Sequence, residues 1–183
     1  MNNLSFHITD ITANSIRANA SEIKLYIYVG NGEIVIRITD NGCGMDRETL
    51  ARVTNPFYTT RTTRKVGLGI PFLIQNAEQT GGSVTITSEP GKGTEVTARF
   101  RSDNIDCPPW GDLPGTVAML ITGNPTVDIS FEYQSDDADF SVSTGEIMEI
   151  LDGIPLSHPK VMLLIKEMIK ENTCRAKTEV RPL

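Results

Sequence analysis

An aspartate and an asparagine stand four residues apart near the start of the chain, in the segment Asp10-Ile11-Thr12-Ala13-Asn14. On a helix, this spacing places both side chains on one face, one turn apart. A carboxylate beside an amide oxygen can hold a metal ion and position a water molecule. Mg²⁺ prefers such oxygen ligands when it also binds nucleotide phosphates. The alternative is a pair of polar residues on a solvated helix face.

A second candidate is Asp40, which begins the segment Asp40-Asn41-Gly42-Cys43-Gly44 directly after an apolar strand pattern. A buried aspartate in that place can accept a hydrogen bond from an exocyclic amine, such as that of adenine. Gly42 and Gly44 let the backbone come close to a flat ring. The alternative is a plain turn, in which Cys43 is a small loop residue rather than a nucleophile.

Glycines and basic residues cluster between residues 56 and 70. Gly67 and Gly69 precede a helical pattern, and glycines at a helix N-terminus let amide groups face a phosphate. Arg61 and Lys65 add positive charge just before that helix. The alternative is a solvated loop with a glycine-rich helix start. A fourth segment, Gly91-Lys92-Gly93-Thr94, alone predicts only a hairpin.

The elements that must position these residues follow from apolar periodicity. Residues 23–29 alternate between apolar and polar, and Gly30-Asn31-Gly32 is a hairpin signal. In the first hundred residues the sequence predicts helices over 4–20, 46–53 and 67–80 and strands over 23–29, 34–38, 83–88 and 94–100. Beyond them it predicts a linker over 102–114, strands over 116–122, 127–133 and 140–143, and helices over 145–151 and 158–172.

Composition excludes several classes of function. The 183 residues carry a net charge of -6, so general nucleic-acid binding is not expected. No apolar run is long enough to span a bilayer, and residues 1–10 do not resemble a secretory signal, so no membrane partner and a cytoplasmic location are expected. The three cysteines are widely spaced, which argues against a disulfide framework or a zinc site.

In their order and spacing, the four segments resemble the GHKL superfamily of ATP-binding domains. That superfamily includes the kinase domain of sensor histidine kinases, the ATP-binding chain of DNA gyrase, the MutL mismatch-repair proteins and a major heat-shock chaperone. The resemblance covers residues 4–101 and implies an α/β, Bergerat-type fold, an α+β two-layer sandwich with a mixed, mostly antiparallel sheet covered on one face by helices. The predicted domains are 1–101 for ATP binding, 102–114 as linker and 115–183 as a small α+β region of unknown role.

The resemblance also implies roles for individual residues. Asn14 resembles the Mg²⁺ ligand, and Asp10 stands where ATP-hydrolysing members carry a glutamate as general base. Asp40 resembles the aspartate that binds the adenine amine, with Gly44 under the ring. Thr94 resembles the threonine that supports this contact through water. Asp10 is one methylene shorter than glutamate, which puts its reach to an attacking water in doubt.

The lid segment contributes the remaining residues of the implied site. Phe57 lies in a segment that many histidine kinases share, and Gly67 and Gly69 resemble the phosphate-facing glycines. Lys65 stands where a further lid glycine is often found, which should stiffen the lid. The predicted ATP-binding set is Asn14, Asp40, Gly42, Gly44, Phe57, Arg61, Lys65, Gly67, Leu68, Gly69 and Thr94, with Asn14 as the metal ligand and Asp10 as the catalytic residue.

Three functions are compatible with ATP and Mg²⁺ binding. The first is a stand-alone signalling kinase module that acts on a separate partner protein. Neither His7 nor His158 is expected to accept a phosphoryl group, and the chain as given begins directly with the ATP-binding segment. The second is an ATP-hydrolysing conformational switch of the gyrase or mismatch-repair type. The third is a non-catalytic ATP sensor. Whether the protein is an enzyme and what its oligomeric state is stay open.

Overall fold

Six helices and six strands are present in residues 3–53 and 69–173, which are the residues that the computed structural model describes. In chain order they are α1 (Leu4–Arg17), β1 (Glu22–Gly30), β2 (Glu33–Asp40), α2 (Arg47–Arg52), α3 (Gly69–Gln79), β3 (Ser83–Glu89), β4 (Gly93–Arg101), α4 (Leu113–Gly123), β5 (Asp128–Ser135), β6 (Asp139–Ser143), α5 (Thr144–Leu151) and α6 (Pro159–Thr173).

The strands form one mixed sheet in the order β3-β4-β2-β1-β5-β6. β5 runs parallel to β1, and the other neighbouring strands pair antiparallel. The β1–β2 register places Leu25 opposite Ile38 and Ile27 opposite Ile36. These residues lie on one face because side chains alternate along a strand. The predicted α+β fold with a mostly antiparallel sheet is confirmed.

One face of the sheet is covered by helices, and the other is polar. Ile27 of β1, Phe100 of β4 and Phe131 of β5 are fully buried in one core with residues of α1, α3 and α4. On the opposite face, Tyr26 lies under the guanidinium of Arg37. The alternation of apolar and polar residues over 23–29 therefore reflects a sheet with one buried face and one solvent-exposed face.

The strand predicted over residues 116–122 is wrong, because residues 113–123 form the helix α4. The β-branched residues of this segment favour a strand locally. Its start, however, carries helix signals: the Asp112 side chain accepts the Gly115 N–H, and Pro114 lies in the first turn. Val117 and Ile121 then pack into the core, so tertiary packing decides the helix.

Residues 102–112 hold the N-terminus of α1. The carbonyls of Pro109 and Trp110 accept the N–H groups of Leu4 and Ser5. The first turn of a helix leaves its N–H groups without intrahelical partners, so this loop satisfies two of them. Part of the predicted linker therefore contacts the first turn of the helix that carries Asp10 and Asn14.

Residues beyond 112 continue the same sheet, since β5 pairs with β1 along Glu22–Val29. Their buried side chains belong to the same core cluster as those of the first hundred residues. The division of the chain at residue 101 stays a prediction. Within residues 3–53 and 69–173, no helix is both long and apolar enough to cross a membrane.

The capping carboxylate of α4 gives a first testable prediction. A hydrogen bond from Lys166 and one from the Gly115 N–H lower the pKa of Asp112. Replacing Asp112 by alanine removes the cap and should lower the free energy of unfolding by about 1 kcal/mol at neutral pH. The stabilisation by Asp112 is present above the ordinary carboxyl pKa and is lost as the pH falls through the lowered value.

Thermal unfolding measured from pH 7 down to pH 3 tests this prediction. The stability difference between wild type and Asp112→Ala should shrink as the pH falls. Asp106→Ala, which removes an exposed carboxylate in the preceding loop, is the matched control and should cost little at any pH. An equal loss of unfolding free energy in both variants would contradict the capping role of Asp112. A loss in Asp112→Ala that does not depend on pH would contradict it as well.

Candidate functional site

A cavity of about 400 Å³ lies between α1, the start of α3, the strand β4 and the segment that runs from the end of β2 through α2. Its wall combines apolar side chains, such as Ile11 and Ile70, with a few polar groups. This is the usual composition of a small-molecule site. The predicted site residues that line it are Asp10, Asn14, Asp40, Gly44, Gly69 and Thr94.

Asp40 is the last residue of β2 and is 9% exposed. Its Oδ2 accepts the Ser15 hydroxyl at 2.6 Å, and its Oδ1 accepts the Gly42 N–H at 2.9 Å and the Thr94 N–H at 3.3 Å. These donors fix the orientation of the carboxylate. A carboxylate has about four acceptor positions, so Asp40 retains capacity for a donor in the cavity, such as an exocyclic amine.

The glycines after Asp40 are required by close packing. A Cβ on Gly42 would lie 2.8 Å from the carbonyl oxygen of Ala18, and Gly42 is not among the described residues that line the cavity. Gly44 has φ +65°, and a Cβ there would lie 2.0 Å from the Glu89 carbonyl oxygen. These two glycines therefore let the loop fit between α1 and the β3–β4 hairpin, while Gly44 also lines the cavity.

Thr94 links the cavity to that hairpin. Its hydroxyl lies 2.9 Å from the Ser88 hydroxyl, which also accepts the Met45 N–H at 2.8 Å. The Thr94 N–H bonds Asp40, so one residue contacts both the carboxylate and the hairpin network. The segment 91–94 by itself predicts only a hairpin, whereas the family resemblance predicts Thr94 as a site residue; neither predicts a role for Ser88.

Asp10 lies against the first residue of α3. A Cβ built on Gly69 would be 1.6 Å from Asp10 Oδ2, so the carboxylate occupies the space that any side chain at position 69 would need. The N-terminus of a helix favours negative charge. The structure thus places the candidate general base beside the candidate phosphate-facing helix start.

Asn14 lies on the cavity-facing side of α1, one turn after Asp10. Its Oδ1 accepts a hydrogen bond from the Arg17 guanidinium, so a cation already contacts this oxygen. Mg²⁺ bound together with a nucleotide keeps several waters and phosphate ligands, so a single amide oxygen from the protein fits such an ion. Asn14 would hold Mg²⁺, whose charge would neutralise developing charge on the phosphates.

The predicted ATP-binding set leaves out two polar residues that line the cavity, Arg17 and Ser15. Arg17 lines the cavity and lies three residues after Asn14, so the same helical spacing that paired Asp10 with Asn14 could have found it. Ser15 orients Asp40 across 25 residues of chain, and no local signal reveals that contact.

Part of the predicted set lies outside the described residues. These positions are Phe57, Arg61, Lys65, Gly67 and Leu68. Their assignment to ATP binding stays a prediction.

The sequence model of one family, described as histidine kinase-, DNA gyrase B-, and HSP90-like ATPase, matches residues 3–104. This range is more than half of the chain. It contains α1 through β4, and therefore every described residue that lines the cavity.

Curated proteins similar to this chain include sensor kinases. The chain is 36% identical over 93 residues to the sensor protein kinase FleS of Pseudomonas aeruginosa, covering 49% of this chain and 23% of FleS. It is 29% identical over 100 residues to the signal transduction histidine-protein kinase AfsQ2 of Streptomyces coelicolor, covering 52% of this chain and 19% of AfsQ2. The chain thus spans about a fifth of the length of each of these relatives.

Among solved structures, the N-terminal domain of a DNA repair protein has a similar fold. The TM-score is 0.53 at 15% sequence identity, and the alignment covers 77% of this chain and 51% of that chain. At this identity the similarity concerns the fold, and function must be argued from the site.

Proposed function

Because this chain belongs to the histidine kinase-, DNA gyrase B- and HSP90-like ATPase family, we propose that it is an ATP-dependent signalling kinase module that acts on a separate partner protein. Family membership implies ATP binding. Beyond ATP binding, the proposal states that the γ-phosphoryl group is transferred to a partner protein. The expected location is the cytoplasm, and Mg²⁺ is the expected companion of the nucleotide.

The observation that supports the nucleotide site is the setting of Asp40. This carboxylate is nearly buried, is oriented by three donors and faces a cavity of about 400 Å³. A buried, oriented acceptor selects a ligand with a matching donor, because a ligand without one would leave the carboxylate unpaired. The adenine amino group is such a donor, whereas guanine carries a carbonyl oxygen at the equivalent ring position.

The two histidines of this sequence differ in their access to a phosphoryl donor. His7 is 2% exposed and is bonded to Asn76, so it is not accessible to a phosphoryl donor. His158 is exposed, and its Nδ1 accepts the Lys160 N–H at the start of α6. The similar curated proteins are sensor kinases, which supports transfer to a protein acceptor.

Purified protein incubated with Mg²⁺ and γ-labelled ATP tests the proposal, alone and with a heat-treated cell extract whose own kinases are inactive. Label on an extract protein supports the kinase. Asp40→Asn is the matched control, because its weaker ATP binding should reduce label transfer strongly at ATP concentrations near the wild-type Kd. Absence of labelled protein, with wild-type ATP binding intact, would refute the kinase assignment.

A second candidate function is an ATP-hydrolysing conformational switch. The observation that favours it is the position of the Asp10 carboxylate, which lines the cavity beside the start of α3. A general base must lie within hydrogen-bond reach of the attacking water.

Asp10→Asn separates the two candidates. If Asp10 is a general base for water, the variant should bind ATP with little change and release phosphate about 10²- to 10⁴-fold more slowly. Phosphate release and ATP affinity, measured on the same preparation, check this expectation. Asp106→Asn, the same substitution at an exposed carboxylate that does not line the cavity, is the control and should leave both values unchanged. Unchanged hydrolysis in Asp10→Asn would exclude a general-base role.

A further inference from the structure

α1 and α3 are joined by a buried hydrogen bond between His7 and Asn76. The Asn76 Nδ2 lies 2.8 Å from the His7 Nε2, and the two residues are 69 positions apart in the chain. His7 is 2% exposed and Asn76 is 6% exposed. A polar pair so deeply buried is placed at the interface of the two helices that flank the cavity.

Each partner lies on the helix that carries one half of the site. His7 is one turn before Asp10 on α1, and Asn76 is two turns after Gly69 on α3. At the cavity end of the same interface, Asp10 lies so close to Gly69 that no side chain fits between them. The position of α3 relative to α1 therefore sets the separation between the first residue of α3 and the Asp10 carboxylate.

We propose that His7 and Asn76 are positioning residues, whose hydrogen bond fixes α3 against α1 and so holds Asp10 beside the first residue of α3. The inference rests on the proposed ATP chemistry at this site. Neither residue is among the described residues that line the cavity, so both act through the placement of other groups.

The protonation of His7 supports this role. Burial lowers the pKa of His7, and the Asp10 carboxylate, the charged group whose field reaches it, raises the pKa by a smaller amount. The ring is therefore neutral at neutral pH, and the Nε2 can accept the Asn76 amide hydrogen. A protonated ring would present an N–H to that amide group and break the bond unless Asn76 turned over.

The His7–Asn76 pair is also expected to stabilise the fold less than a pair of apolar side chains would. The His7 Nδ1 is buried and has no hydrogen-bond partner within the described ranges. An unpaired buried polar group is unfavourable, whereas two apolar side chains of similar shape can replace a buried polar pair at little cost. An interface selected only for packing would use such apolar side chains.

The test uses Asn76→Leu, His7→Leu and the double variant, with Gln75→Leu as the matched control on the exposed face of α3. Each leucine breaks the bond with a side chain that still packs. We expect turnover of ATP, as phosphate release or label transfer, to fall about 10- to 100-fold in both single variants and in the double variant, with a much smaller change in KM. Gln75→Leu should match wild type.

Asn76→Asp is the conservative variant. Its carboxylate can accept a hydrogen bond from a protonated His7, so it should restore turnover. In the pH profile of turnover, the decline on the acid side should also move to lower pH. The reason is that an ion pair between the introduced carboxylate and the charged His7 ring would preserve the contact between α1 and α3. A merely structural role would not move the pH profile.

A readout without nucleotide separates this inference from the proposed function. In ¹⁵N-labelled protein, the Gly69 amide resonance should shift in Asn76→Leu and His7→Leu and stay unchanged in Gln75→Leu. Wild type that neither hydrolyses nor transfers phosphate would refute the proposed function and leave this readout intact. An unchanged Gly69 resonance, or a double-leucine variant with wild-type turnover, would overturn the positioning role.

Discussion

A Gly93→Ala variant is expected to lose at least about 3 kcal/mol of folding free energy and with it the nucleotide site. Gly93 has φ +111°, a conformation that costs a residue with a side chain about 1 to 2 kcal/mol. A Cβ there would also lie 1.9 Å from the Asp40 carbonyl oxygen. Backbone cannot move aside as a side chain can, so β2 and β4 must separate where Asp40 is held.

Gly91→Ala is the matched control for this prediction. Gly91 lies in the same turn with φ +75°, but a Cβ there has nothing within 4 Å. It should therefore lose only about 1 kcal/mol from backbone strain. Urea unfolding of both variants, with ATP titration of any folded fraction, measures the difference. Similar losses in the two variants would show that the contact with Asp40, as opposed to the turn conformation, has no effect.

An Asp40→Asn variant is expected to keep its fold and bind ATP about 10- to 100-fold more weakly. The asparagine Oδ1 can still accept the Gly42 and Thr94 N–H groups, and the Ser15 hydroxyl can accept from the new amide. The amide group, however, places a donor where the adenine amine needs an acceptor. The loss should therefore concern binding and leave the unfolding temperature nearly unchanged.

Calorimetric titration with ATP, ADP and GTP checks this prediction. Wild type should prefer ATP and ADP to GTP, and Asp40→Asn should lose most of that preference, because the carboxylate discriminates between an amino group and a carbonyl oxygen. Asp106→Asn, an exposed site, should behave as wild type. Retained preference for adenine in Asp40→Asn would contradict the role assigned to this carboxylate.

The elements around the cavity were predictable from the sequence because their signals are local. The alternation over residues 23–29 and the turn at residues 30–32 specify the β1–β2 hairpin without reference to the rest of the chain. Asp10 and Asn14 share a helix face for the same reason. The family resemblance over residues 4–101 is confirmed by the match to residues 3–104.

Contacts between distant segments were not predictable. The segment 116–122 has the β-branched composition of a strand, yet Asp112 and Pro114 start a helix that buries Ile121. The parallel pairing of β5 with β1 joins residues about a hundred positions apart. No periodic pattern in the sequence indicates which two strands pair. The His7–Asn76 bond is of the same kind, since each residue alone looks like a polar position on a helix.

The pairing of β5 with β1 has a practical consequence for anyone who wishes to produce the ATPase segment alone. A fragment that ends at residue 104 would leave the backbone N–H and C=O groups of β1 open along Glu22–Val29. An open strand edge is a template for aggregation. Such a fragment would also lack α4 and β5, whose buried residues share one core with Leu4 and Leu25. The boundary of the family match is therefore a poor place to cut, and soluble preparations should retain at least the chain through β6.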